Sequence, residues 1–396
     1  MDQNIGNIDQ NTRIKFLTIL LYAVVLFGIG AFVWRKTNEE SRACSSINLY
    51  YTEASSSKFL RNIDFNNANY KYGSQGVLEG RSVGRLRDYY IKSAYNCCVV
   101  KSNKSGFVSL CALKRCLQEC CRFLDFEIYS INDEPVIAVS SLNSFNFKQS
   151  FNYIKFKDAV RVITQFAFNP MGDGGNPCNQ DPLFLHLRIK SYNKKIYDKI
   201  ANYIYTGFKS SNQYSILGKE YSYEWATDGG KSFRNFSDVK LEDLKKKICI
   251  IVDSSASKEY MGTKLEEYIN MTSGSPVCKA DRFDNVKFTP NMKDLQNFNM
   301  RNTTVVMPNL NAKAENYSWG VAKEMGCQFI SMCFQVPDNN LREYNNMFNE
   351  TGHAFVLKPK HLRNKYVQIK DTASRPELSL ASKPRRMGQG GVVANF

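Results

Sequence analysis

The chain has 396 residues, of which 43% are hydrophobic and 13% aromatic, so it can bury a substantial core and wholesale disorder is excluded. Its 53 Lys and Arg residues outnumber its 37 Asp and Glu residues, which gives a formal net charge of +16. This excess favours anionic partners such as lipid headgroups, nucleic acid or acidic protein faces. The basic residues are spread along the chain, so we predict no specific nucleic-acid site. A general solubilising, membrane-facing role and a specific anionic site both stay open.

The cysteine and histidine patterns limit the metal chemistry of the chain. Twelve cysteines occur without the paired C-x-x-C spacing of a zinc ribbon. The three histidines, His186, His353 and His361, form no H-x-x-x-H pair, so a zinc site is not expected. We interpret the cysteines as reduced, buried, small apolar side chains. The alternative is a disulfide framework, which a domain of this size does not need.

An uninterrupted apolar run, FLTILLYAVVLFGIGAFVW, occupies residues 16–34 behind a polar leader at 1–15. At about 1.5 Å per residue it reaches roughly 28 Å, enough to cross a bilayer core. Lys15 precedes it and Arg35 and Lys36 follow it, as at two membrane interfaces. A cleaved signal peptide is the alternative, but its apolar run is shorter and ends in small residues. We therefore predict a single-pass membrane anchor of unknown orientation.

Beyond about Tyr89, short apolar strands alternate with helical stretches. In FLDFEIYS, apolar and acidic residues alternate, which is typical of a strand with one face toward a polar interior. The alternation over some 280 residues predicts a (β/α) barrel or another parallel α/β fold. The predicted strands are 123–130, 182–189, 247–253, 303–308, 327–335 and 354–359, and the predicted helices are 108–121, 194–208 and 238–246.

Three segments resemble the catalytic X and Y regions of phosphoinositide-specific phospholipase C. YYIKSAYN (89–96) is similar to the family's Y-F-I-x-S-S-H-N strand. CCRFLDFEIYSINDEPVIAVSS (120–141) is similar to its G-C-R-x-x-E-L-D-x-W-D-G stretch and the residues that follow. ENYSWGVAKEMGCQFISMCFQVPD, with FVLKPKHLR further on, resembles the long Y-region motif over 315–363. The resemblance covers about 89–366 and implies a distorted TIM-like (β/α)8 barrel of the PLC-like phosphodiesterase type.

Composition, hydropathy and the resemblance together divide the chain into segments. The membrane helix is followed by a polar connector that packs on the domain surface, and the two half barrels are separated by an insertion rich in Ser, Tyr, Gly and Asn. An extended tail for protein partners ends the chain. The predicted boundaries are 35–84 for the connector, 85–205 for the X-like half, 206–238 for the insertion, 239–366 for the Y-like half and 367–396 for the tail.

The catalytic residues of the family are not retained. The family cleaves a phosphodiester with two histidines and a calcium ion. The first histidine falls at Tyr95 and the second near Val139 or Ser140, so we expect no catalytic residue to be intact. A phenol with a pKa near 10 is a poor proton shuttle at neutral pH. The substrate-binding basic residues fall at Ile251 and Asp253, and the Y-region arginine and tyrosine fall at Val305 and Met307.

The calcium ligands are partly retained and partly reversed. The asparagine ligand is kept as Asn96, and the acidic pair is kept as Asp125 and Glu127. The remaining acidic ligand falls at Arg188, which places a cation where the metal would lie. We therefore expect an ion-pair network in the barrel mouth in place of a metal site, and no cofactor. Calcium is expected only if a rebuilt site is active.

Three functional hypotheses follow from these residues. The first is a membrane-anchored pseudoenzyme that serves as a structural or interaction protein through its barrel surface and tail. The variant motifs also resemble those of barrel proteins of large DNA viruses, which implies a minor capsid protein in the internal membrane of a virion. The second is an active phospholipase C with a rebuilt site, in which His186 shares a strand face with Arg188 and supplies the imidazole. The third is a module that binds anionic lipid or phosphate without catalysis.

Overall fold

The structure, a computed structural model, describes residues 10–53, 60–63, 84–169, 176–208, 215–217, 221, 235–364, 384–387 and 392–395. Met1–Arg363 form one compact unit and Asn364–Phe396 form a second. The helices are α1 Gln10–Thr37, α2 Glu39–Glu53, α3 Leu110–Gln118, α4 Phe156–Phe166, α5 Lys194–Phe208, α6 Phe283–Lys287, α7 Met292–Arg301, α8 Trp319–Glu324 and α9 Asn339–Thr351. Short 3-10 helices cover Leu86–Asp88, Phe236–Asp238, Leu241–Leu244, Glu266–Tyr268 and Lys360–Leu362.

The strands of the first unit form one mostly parallel sheet that curves into a barrel. The strands are β1 Tyr89–Ala94, β2 Phe123–Ile131, β3 Glu134–Ile137, β4 Ile154–Lys155, β5 Leu183–Ile189, β6 Ser215–Ile216, β7 Lys247–Asp253, β8 Ile269–Ser273, β9 Cys278–Arg282, β10 Thr303–Met307, β11 Phe329–Met332 and β12 Phe355–Leu357. Eight of them follow one another round the barrel as β1, β2, β5, β7, β8, β9, β10 and β11, and β11 pairs with β1 in parallel. The barrel is nearly closed, the remaining gap lying between β8 and β9. The predicted TIM-like barrel is confirmed.

The remaining strands extend this ring. The first half of β1 pairs antiparallel with β12, and its second half pairs with β2. β2 and β3 form an antiparallel hairpin, and β4 continues it beyond β3. Helices α3, α4, α5 and α9 pack against the strands because each carries an apolar face. In α4, the buried residues Phe156, Ala159, Val160 and Ile163 fall at the spacing of one helical face.

Two predicted features of the barrel differ from the structure. The stretch 238–246 is not an α-helix but contains the 3-10 helix Leu241–Leu244. Strands β8 and β9 have no counterpart among the predicted strands, because INMTS and CKADR lack the apolar runs of the other strands. The side chain of Ser273 in β8 reaches the barrel interior all the same, since it is fully buried and its hydroxyl lies 2.8 Å from His186 Nε2.

The N-terminal helix α1 is long and apolar enough, over Arg13–Thr37, to cross a membrane. Its large apolar side chains, from Phe16 to Trp34, are exposed along the whole helix. At 28 residues it measures about 42 Å. The polar leader at 1–15 lies mostly outside the described residues.

Helix α2 is an unpredicted element within the connector. It packs on the barrel unit through Ile47 and Tyr51, whose hydroxyl donates to the Phe334 carbonyl at 2.8 Å. A disulfide joins Cys44 of α2 to Cys111 of α3. The expectation that all cysteines are reduced is therefore wrong for this pair, because docking of α2 brings the two thiols together. The other ten cysteines are free and buried, as small apolar side chains.

Several predicted segments fall largely on residues that are not described. Of the connector, 54–59 and 64–83 lie outside the described residues, and of the predicted insertion, 209–214, 218–220 and 222–234 do. The predicted extended tail is described only at β13 Pro384–Met387 and β14 Val392–Asn395, which pair antiparallel within the second unit. The domain boundaries themselves stay predictions.

Candidate functional site: a buried polar cluster in the barrel

Two neighbouring strands place four ionisable side chains inside the barrel. Asp125 and Glu127 alternate with apolar residues on β2, and His186 and Arg188 do so on β5. The parallel register pairs Asp125 with His186 and Glu127 with Arg188. Because successive side chains of a strand point to opposite faces, all four lie on the same side of the sheet. All four are also buried, with exposed fractions of 2% or less.

The guanidinium of Arg188 joins the acidic pair to Asn96. Nε and Nη2 donate to the two carboxylate oxygens of Asp125, each at 2.9 Å. Nη2 also donates to Asn96 Oδ1 at 2.6 Å, and Nη1 donates to Glu127 Oε2 at 3.2 Å. The Tyr95 ring centre lies 5.0 Å from the guanidinium carbon. The structure therefore brings Asn96, Asp125, Glu127 and Arg188 into one hydrogen-bonded cluster.

The charges in this cluster stabilise one another. Burial alone would raise the pKa of Asp125, but Arg188 and His186 outweigh it and hold that pKa well below its usual range. Burial would lower the pKa of Arg188, but Asp125, Tyr95 and Glu127 raise it further above its ordinary value. Asp125 is consequently a carboxylate and Arg188 a cation across the physiological range.

These residues do not fit a calcium ion. Calcium takes six to eight oxygen ligands, and the oxygens of Asn96, Asp125 and Glu127 would be the donors here. The Arg188 guanidinium occupies the space between these oxygens, at 2.6–3.2 Å from each residue. A metal ion beside it would meet a buried positive charge of fixed position. The donor set therefore suits a guanidinium, and no metal-dependent step follows from it.

His186 extends the cluster toward β8. Its Nδ1 lies 2.7 Å from Asp125 Oδ1, and its Nε2 lies 2.8 Å from the Ser273 hydroxyl. With the proton on Nδ1, the imidazole donates to Asp125 and accepts from Ser273. Ser273, His186 and Asp125 contact one another in the order of a nucleophile, its base and the residue that orients the base. All three side chains are fully buried, so in this arrangement the chain of contacts links three strands and presents no nucleophile to solvent.

Tyr95 and Glu127 have partners outside the predicted set. The Tyr95 hydroxyl accepts from Arg282 Nη1 at 3.1 Å, and burial raises the pKa of this phenol despite the nearby Arg188 and Arg282. The Tyr129 hydroxyl donates to Glu127 Oε1 at 2.5 Å. Sequence reasoning missed Ser273 and Arg282 because both end strands that were not predicted. Tyr129 had a usable signal, since it shares the strand face of Asp125 and Glu127.

Among the described residues, the other predicted positions form no hydrogen bond with the Arg188 guanidinium. Val139 and Ser140 are buried, and the Ser140 hydroxyl accepts from the Leu142 amide at 3.1 Å. Ile251, Val305 and Met307 are buried apolar residues, whereas Asp253 accepts from the Ser255 amide at 3.0 Å. His353 lies away from the cluster, 3.2 Å from the Arg61 carbonyl, and His361 is exposed.

The fold of the barrel is that of PLC-like phosphodiesterases. Residues 84–253 match the family model of the phosphatidylinositol-specific phospholipase C X domain. Crystal structures of PLC21 from L. pealei and from S. officinalis have the same fold, with TM-scores of 0.55 and 0.54 at 16% identity. Each comparison covers 72% of this chain, which spans only 38% of either protein. Comparison with curated protein sequences found no match.

Proposed function

We propose that the chain is a membrane-anchored, non-catalytic PLC-like barrel that acts as a structural or interaction protein. The observation that carries this proposal is the position of Arg188, whose guanidinium pairs with Asp125, Glu127 and Asn96. A phosphodiesterase of this class needs those oxygens for a metal ion that activates the attacking hydroxyl. With a fixed cation in their midst, the oxygens hold the barrel together instead of binding calcium.

The acid and base positions support the same function. Tyr95 is buried with a raised pKa and its hydroxyl accepts from Arg282, so it is a weak proton donor at neutral pH. Val139 and Ser140 offer no group that titrates near pH 7. Loss of acid–base catalysis alone removes about 10²–10⁴-fold in rate.

The membrane role rests on α1 and its surroundings. The exposed apolar helix needs a bilayer or an equal apolar partner to cover it. Phe147 and Phe151, in the loop before β4, expose more than half of their surface, and the Lys36 ammonium lies 4.8 Å from the Phe151 ring centre. An apolar part of the barrel surface thus lies beside the basic end of α1, as suits a face that rests on a membrane.

The expected result of an activity assay follows from the Arg188 cluster. The full chain, reconstituted in phosphatidylcholine vesicles with phosphatidylinositol 4,5-bisphosphate, should release no inositol phosphate above the protein-free rate, with or without calcium. An inactive Asp125→Asn variant provides the matched background. Calcium-dependent release that Asp125→Asn abolishes would contradict the proposal.

A second candidate function, phosphodiester cleavage by a rebuilt site, is favoured by one contact. His186 is held by Asp125 at 2.7 Å and faces the Ser273 hydroxyl at 2.8 Å, as an oriented general base would be. In the same assay, this candidate predicts calcium-independent release that His186→Asn abolishes. Release that survives His186→Asn would exclude it.

The partners of the first function are proposed to be proteins that contact the barrel surface and the C-terminal tail. The resemblance to barrel proteins of large DNA viruses favours a virion membrane as the setting, where the chain would join the internal membrane to the shell. Cross-linking of intact membranes that contain the chain, followed by mass spectrometry, should recover a stable protein neighbour. Recovery of the free monomer alone would count against this role, and a variant cut back to 1–363 would show whether the tail provides the contact.

A further inference from the structure

A cavity of about 350 Å³ lies where α1 and α2 meet the barrel. Its lining combines three basic residues, Arg35, Arg42 and Lys101, with one acidic residue, Glu39. Apolar side chains of α2 and of the loops after β1 and β11 complete it. The cavity is separate from the Arg188 cluster, with which it shares no residue.

The proposed function includes that α1 crosses a bilayer. In that case the position of α1 fixes the depth of the cavity relative to the membrane surface. Arg35 directly follows the apolar run at 16–34 and is exposed. Basic residues that end a membrane-spanning helix lie among the lipid headgroups. The cavity, which Arg35 lines, therefore opens at the level of the lipid phosphates.

Some charged residues around the cavity form ion pairs and others do not. Glu39 accepts from Lys36 at 2.7 Å and from Lys101 at 2.5 Å, and these hydrogen bonds lower its pKa. Among the described residues, Arg35 and Arg42 form no ion pair. Arg42 is held in place because Nη2 donates to the Arg35 carbonyl at 2.7 Å and its guanidinium carbon lies 5.8 Å from the Trp34 ring centre. Two guanidinium groups thus lack an anion.

The floor of the cavity is apolar, which suits the glycerol end of a lipid. Ile47, Tyr51 and Phe334 are buried apolar residues of the lining. Gln335 also lines it, and its Nε2 is buried with no hydrogen-bond partner in the described part of the chain. A buried donor left unpaired is unfavourable, so an acceptor on a bound molecule would satisfy it.

We propose that this cavity binds the phosphate-bearing headgroup of an anionic phospholipid from the bilayer that α1 crosses. Arg35 and Arg42 pair with the phosphate, and Gln335 donates to a headgroup or ester oxygen. The glycerol end lies against Tyr51 and Phe334. Such a lipid would fix the angle between α1 and the barrel without being a substrate, because the Arg188 cluster lies elsewhere.

Native mass spectrometry of the full chain tests the proposal. The chain is reconstituted in vesicles of phosphatidylcholine and phosphatidylserine in equal parts, extracted in mild detergent, and analysed for retained lipid. Phosphatidylserine should be retained at least about tenfold over phosphatidylcholine, and Arg35→Gln with Arg42→Gln should remove this preference. The matched control is Arg161→Gln with Arg301→Gln, two exposed arginines that do not line the cavity, and it should keep the preference.

The other arms separate the possible outcomes. Gln335→Leu should weaken the retention of phosphatidylserine although it leaves the net charge unchanged. A general loss of basic surface would not explain that result. Equal retention of both lipids, or a preference that survives the arginine pair, would overturn the proposal. Displacement of phosphatidylserine by inorganic phosphate at equal concentration would assign the site to free phosphate and also overturn it. Release of the chain from vesicles by alkaline carbonate would instead contradict the membrane anchor of the proposed function.

Discussion

Arg188 donates to four oxygens of three residues, Asn96, Asp125 and Glu127, and all four side chains are buried. Removal of one partner from such a cluster leaves an uncompensated buried charge, which typically costs about 3–5 kcal/mol. The cluster therefore ties Asn96 after β1 to Asp125 and Glu127 of β2. The guanidinium of Arg188 thus fills the space among these oxygens, and β2 and β5 pair in parallel register around it.

Asp181 makes the stability of the folded chain depend on pH. Its carboxylate is fully buried and accepts from the Ile63 amide at 2.8 Å, and burial, opposed by Arg122, raises its pKa to about 7. An unfolded aspartate has a pKa near 3.9. Between about pH 4 and pH 7 the folded chain therefore binds more protons than the unfolded chain, and this residue makes stability fall as pH rises through that window.

The substitution Asp181→Asn should remove the loss of stability that Asp181 causes as the pH rises. The thermal midpoint of the variant, relative to wild type, should rise when the pH is raised from about 5 to about 8, because only wild type then has to ionise a buried carboxyl. Differential scanning fluorimetry at both pH values measures the difference. Asp284→Asn, on an exposed residue, is the control and should show no such trend. An offset for Asp181→Asn that is constant with pH would contradict the assignment.

At the scale of elements, the strands with strong apolar patterns were predictable. FLDFEIYS and PLFLHLRI gave β2 and β5 within one or two residues of the observed Phe123–Ile131 and Leu183–Ile189. These two strands carry Asp125, Glu127, His186 and Arg188. Alternation predicted the strands and their polar faces, whereas the resemblance to phospholipase C indicated that Asp125, Glu127 and Arg188 belong to the candidate site. Which of these residues contact one another is a matter of strand register, which a sequence pattern does not fix.

The elements that were missed lack a local signal. Strands β8 and β9 are polar, and they are strands because their neighbours β7 and β10 supply hydrogen-bond partners. Ser273 and Arg282 were missed with them, although both contact predicted site residues. Helix α2 has only Ile47 and Tyr51 as buried apolar anchors, too few for a periodic pattern, and the Cys44–Cys111 disulfide depends on its docking.

At the scale of the whole molecule, the first unit combines a helix that is long and apolar enough to span a membrane with a barrel whose interior holds the Arg188 cluster. The net charge of +16 suits a face near anionic lipid, and Arg35 and Arg42 give that excess a specific place. These features support the proposed role of the chain as a membrane-anchored interaction protein.

Calcium titration of the full chain by isothermal calorimetry tests the central claim most directly, with Arg188→Glu as the variant that returns an acidic ligand and Arg301→Glu as the matched charge control. Wild type and Arg301→Glu should show no binding up to about 1 mM calcium, the weak end of protein calcium sites, whereas Arg188→Glu should bind and gain thermal stability with calcium. Calcium binding by wild type that Asp125→Asn abolishes would contradict the account.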